Sequence, residues 1–110
     1  MSYRHKELSA GGWNRIGFTA QMANIGSEIE RALNWKAKNN PAYSQQAFER
    51  ALELMDLTLD SARGLSRLKE VARAREAAAD YFSGSNEYGS SEESWRNYFA
   101  PFIYAARKSH

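Results

Sequence analysis

A single valine, Val71, stands among 110 residues, and the chain is otherwise rich in Ala, Leu, Glu, Arg and Gln. Sheets are built largely from β-branched and aromatic side chains at alternating positions, whereas this set favours helix. The spacing of the apolar residues agrees. Phe18, Met22, Ile25, Ile29 and Leu33 recur at steps of three and four, which marks one face of a helix over 18–38. Asn39-Asn40-Pro41 then breaks the pattern, with Asn40 placed as an N-cap and Pro41 as the first helical residue. A second helix over 41–60 follows, its stripe formed by Phe48, Leu52, Met55 and Leu59 and widened by Ala47, Ala51 and Leu54. Ser61–Gly64 is a tight connection to a third helix over 65–82, whose face holds Leu65, Leu68, Ala72, Ala79 and Phe82 around Arg75.

The segment Ser83–Ser90 is a loop by composition, and Ser90 with Glu93 forms a capping box for a fourth helix over 91–107. That helix carries Trp95, Phe99, Phe102 and Ala106 on one face, and Pro101 is expected to kink or split it near Ala100. Residues 1–17 form an N-terminal arm with Trp13 placed to tuck onto the helices. Gly26, flanked by Asn24 and Ser27, marks a position for close packing against another helix. The expected fold is all-α: a single domain over 1–110, an antiparallel bundle of four helices with a Pro-kinked last helix.

Composition excludes whole classes of chemistry. There is no cysteine, and the two histidines, His5 and His110, lie outside the stretch from about Trp13 to Arg107 that carries the helical pattern. Serine–histidine and cysteine–histidine mechanisms therefore lack a central base, and zinc, iron–sulfur and haem sites have almost no ligands. No run approaches the ~18 apolar residues of a membrane span, and Met1–Ser9 is too polar for a signal peptide, so a cytoplasmic protein is expected. A net charge of +2 is too small to imply nucleic acid on its own.

Several stretches look familiar together: Leu8-Ser9-x-Gly11-x-Trp13-Asn14, the run Gln21–Ala32, the run Ala47–Leu54, and Glu93-Ser94-Trp95-x-x-Tyr98-Phe99. Over nearly the whole chain they resemble a family of small uncharacterised prokaryotic all-helical proteins. The resemblance implies a compact helical domain and transfers no activity, since that family has no assigned function. Small helical nucleases of toxin–antitoxin pairs use a longer Arg–His spacing than the one between Arg107 and His110, so their activity is not inherited. Glu53-x-x-Asp56 is similar to the second half of the metal motif of all-helical nucleotide pyrophosphohydrolases. The first half, Glu-x-x-Glu, is incomplete, because Arg31 stands three residues after Glu28.

Three sets of side chains remain as candidates. Glu49, Glu53, Asp56 and Asp60 share a face of the second helix, an arrangement that could hold Mg²⁺ or simply salt-bridge to the basic flank of the third. Arg63, Arg67, Lys69, Arg73 and Arg75 supply that flank, and Lys69 or Arg73 could steer a phosphate. Trp95, Tyr98, Phe99, Phe102 and Tyr104 are more aromatics than one helix face can bury, and Trp35 lies off the stripe of the first helix. Trp35, Trp95, Tyr98 and Tyr104 are therefore the interface candidates, since Trp and Tyr combine large area with a polar handle. The leading expectation is a non-enzymatic interaction or assembly domain, a homo-oligomer or the binder of a protein partner, with no catalytic residues and no cofactor. One alternative is a Mg²⁺-dependent enzyme acting on nucleotides or phosphates through Glu49, Glu53 and Asp56, with Lys69 and Arg73 on the phosphate. The other is a nucleic-acid-associated helical protein.

Overall fold

The computed structural model describes residues 12–108, so residues 1–11 of the arm, with His5, and the terminal His110 lie outside the described residues. A single helical turn, Gly12–Arg15, precedes α1 (Phe18–Ala37), α2 (Pro41–Ser61), α3 (Leu65–Ser83) and α4 (Glu92–Lys108). Among the described residues every regular element is helical, as the scarcity of strand formers predicts.

The helix ends follow local chemistry. Asn39 adopts the left-handed conformation (φ 63°), Asn40 accepts the Tyr43 N–H at 3.0 Å through Oδ1, and Pro41 opens α2. The expected Ser90–Glu93 box is replaced one residue later. Ser94 N–H donates to Ser91 Oγ (3.1 Å), and Ser91 N–H donates to Ser94 Oγ (2.8 Å). Ser90 instead closes the preceding loop, its N–H donating to Asn86 Oδ1 at 2.9 Å. Pro101 does not split α4, which is continuous from Glu92 to Lys108. Pro101 and Asn97, whose carbonyl loses its donor, are both exposed residues, on the side of the helix where solvent can take the place of the missing N–H.

Contacts fix the topology as up-down-up-down. Ser44 Oγ donates to the Ala32 carbonyl at 2.8 Å and Arg50 reaches Glu28, so the start of α2 lies beside the end of α1. Phe48 stacks on Phe82 (5.0 Å) and Arg75 pairs with Asp56, which sets α3 antiparallel to α2. Arg96 pairs with Glu30 and Phe102 meets Phe18 edge-on (6.4 Å), which sets α4 antiparallel to α1. The helix α1 packs closely on both α2 and α4, whereas α3 packs on α2 and reaches α4 through side chains.

This central place explains the width of the buried face of α1: Met22, Ile25, Ile29, Ala32 and Leu33 are all within 1% of full burial. Gly26 is the point of closest approach. A Cβ there would lie 2.8 Å from Phe99 Cβ and 2.9 Å from Phe99 Cγ, so only glycine lets α4 sit this near. Trp13 is buried as expected, with its Nε1–H donating to Thr58 Oγ1 and its carbonyl accepting from Gln21 Nε2, both at 2.9 Å.

Two faces depart from the expected ones. The core side of α3 is Val71, Ala74 and Ala78, while Leu65 is 66% exposed. In an alanine-rich helix the apolar contrast between faces is small, and packing against α2 decides the rotation. On α2, Glu53 is only 6% exposed and belongs to the buried side rather than to a solvated acidic flank. Glu28 is equally buried and is held by Arg31 and by Arg50 Nε at 3.0 Å, an ionic tie between α1 and α2.

Candidate binding clefts

Because α3 meets α4 through side chains, a cleft of about 540 Å³ lies between them. Its apolar wall is formed by Ala74 and Ala77 of α3 facing Trp95 and Tyr98 of α4. The two alanines make the space, since larger residues on that face would bring side chains across to the tryptophan. Ser66, Lys69, Glu70 and Arg73 complete the lining. Lys69 and Arg73 are one helical turn apart, both are exposed, and neither forms an ion pair among the described residues.

Tyr98 straps this cleft. Its phenol O–H donates to Glu70 Oε2 at 2.8 Å, joining α4 to α3. Burial, and then the hydrogen bond and charge of Glu70, push the phenol well above its ordinary pKa of 10.0, so it stays a neutral donor through the physiological range. Trp95 is 5% exposed and stacks on Phe99 (6.2 Å), and its indole Nε1–H has no acceptor among the described residues.

Trp95 also lines a second groove, of about 370 Å³, between α1 and α4. Ile29, Leu33 and Phe99 form its apolar floor, and Ile103 and Tyr104 stand at its side. Tyr104 is 67% exposed. On the rim, Arg96 is fully engaged: it donates to Glu30 (2.7 Å), Glu92 (2.7 Å) and Asn34 Oδ1 (3.0 Å). Arg107 lines the same groove and joins no ion pair among the described residues.

The four aromatic candidates thus separate. Trp95 is core, Tyr98 is half-buried in an internal contact, and Trp35 packs edge-on to Tyr43 (4.8 Å) beneath Lys38 Nζ (5.2 Å). Only Tyr104 among them presents most of its surface to solvent.

The acidic ladder disperses in a similar way. Glu49 is exposed and accepts from Gln45 at 3.4 Å, Glu53 is buried, and Asp56 is taken by Arg75 Nε at 2.7 Å. Among the described residues no three His, Cys, Asp or Glu side chains gather as a metal ion requires. The basic set spreads as well: Arg67 lies over the Phe18 ring at 5.0 Å, and Arg75 is bound to Asp56.

Sequence reasoning missed Glu70 as the partner of Tyr98 and Glu30 as the partner of Arg96, contacts across 28 and 66 residues that leave no local signal. It did find Lys69, Arg73, Trp95 and Tyr98, but as two unrelated sets; the fold brings them into one cleft. No helix among the described residues is long and apolar enough to cross a membrane. No protein-family model, curated protein or solved structure matches the chain.

Proposed function

We propose that this chain is a non-enzymatic interaction domain that assembles with a second copy of itself through the groove between α1 and α4. The observation that carries the reading is Tyr104, a large aromatic two-thirds exposed beside a groove floored by Ile29, Leu33 and Phe99. Exposed aromatics beside an apolar depression are the usual make-up of an interface centre. The charges of Glu30, Glu92 and Arg96 on the rim are satisfied within one copy, which leaves the apolar floor and Tyr104 as the surface a second copy related by a twofold axis would cover. The Mg²⁺-dependent reading gains no comparable support, because the carboxylates it needs point to different partners.

Light scattering on a sizing column tests the proposal directly. The wild-type chain is expected to run as a multiple of 12.5 kDa and to remain so at high salt. Tyr104→Glu should return it to monomer with an unchanged circular dichroism spectrum. A wild-type species of 12.5 kDa at every concentration sinks the self-assembly reading.

A further inference from the structure

We infer that the cleft between α3 and α4 is a binding site for a small amphiphilic monoanion, a carboxylate carried on an apolar body. The argument begins with charge. Lys69 and Arg73 stand on one face of α3, exposed and without ionic partners among the described residues, whereas Arg75, Arg96 and Arg50 are each paired. Glu70 is the one acidic residue in the lining, so two cations against one carboxylate leave a single net positive charge there. One negative charge on the occupant balances it.

Shape and polarity give the rest of the ligand. Beneath the two cations the walls are Ala74, Ala77 and the rings of Trp95 and Tyr98, which suit an acyl or arylalkyl body rather than a sugar. A volume of about 540 Å³ falls within the range of small-molecule sites. The Tyr98–Glu70 hydrogen bond ties the two helices across the cleft and so fixes the spacing of its walls from within the protein. The assignment stands apart from the self-association reading, since it uses neither Tyr104 nor Arg107.

The test is titration calorimetry with decanoate below its micellar concentration, with neutral decanamide and with acetate. Saturable one-to-one binding of decanoate is expected, with decanamide weaker by about tenfold and acetate silent. Replacing both cations (K69A with R73A) should weaken decanoate by about tenfold or more, and R107A, in the other groove, should leave it unchanged. Ala77→Leu fills the cleft and should abolish binding; if that variant fails to fold, the exposed-cation pair alone decides. Among the three tryptophan indole resonances, that of Trp95 should shift on addition of decanoate. Absence of saturable binding overturns the proposal, as does equal affinity for decanoate and decanamide, or an affinity indifferent to Lys69 and Arg73.

Discussion

Gly26→Ala is the sharpest test of how this bundle is held. Two effects of opposite sign compete. Alanine is the better helix former, which favours the variant by about 1 kcal/mol in a helix interior. Against this, the added methyl would lie 2.8 Å from Phe99 Cβ, 2.9 Å from Cγ and 3.0 Å from Cδ1. The nearest of these is Phe99 Cβ, fixed to the backbone of α4, so rotating the ring cannot relieve the contact. Both residues are buried, and α4 must lift away from α1 as a body. Overpacking of that kind costs about 1–3 kcal/mol, towards the upper end when backbone must move. The net effect is a loss of about 1–2 kcal/mol, or roughly 5–10 °C in Tm. Thermal unfolding followed by circular dichroism reads it, with Asn24→Ala as the control. Asn24 is exposed on the same helix, so its replacement should raise stability by a few tenths of a kcal/mol. A Gly26→Ala protein as stable as the Asn24→Ala control would refute the claim that the α1–α4 spacing is set by glycine.

Tyr98→Phe should cost about 0.5–1.5 kcal/mol near neutral pH through loss of the Glu70 hydrogen bond. Because the folded phenol titrates above 10.0, that advantage is full below pH 10 and is lost as pH rises through the folded value, so urea melts of wild type and variant should converge in alkali. A gap that widens above pH 10 would reverse the assigned sign. At the start of α4, Ser91→Ala should cost about 1 kcal/mol and Ser90→Ala very little, because the side chain of Ser91 caps the helix. Equal losses in the two variants would return the cap to the Ser90–Glu93 pair.

The helices were legible because their spacing is a local property. Steps of three and four from Phe18 to Leu33 place the α1 stripe correctly, and Asn40-Pro41 announces the start of α2. The rotation of a weakly amphipathic helix is not local. Leu65 invites burial by its chemistry, yet Val71, Ala74 and Ala78 are the residues that go inside. The acidic ladder shows the same limit, since a flank 100° from the stripe is near enough to the boundary that Glu53 goes inside and Glu49 stays out. The α3–α4 cleft was legible only in pieces. Lys69 and Arg73 read as a basic flank and Trp95 and Tyr98 as aromatic surplus, and nothing in either run says that Glu70 will meet Tyr98 across 28 residues.

The pairing of α1 with α4 has a consequence for the chain as it is made. Arg96 meets Glu30 across 66 residues of sequence, and Phe99 is what covers Gly26. During synthesis α2 follows α1 directly, so those two can zip together soon after both emerge. The other side of α1 waits. At roughly 5–20 residues per second, the interval between Glu30 and Arg96 is about 3–13 s. Over that interval the apolar strip of α1 around Gly26 and Ile29 lacks the helix that covers it in the finished fold, and it stays uncovered after α2 has joined α1 until α4 arrives.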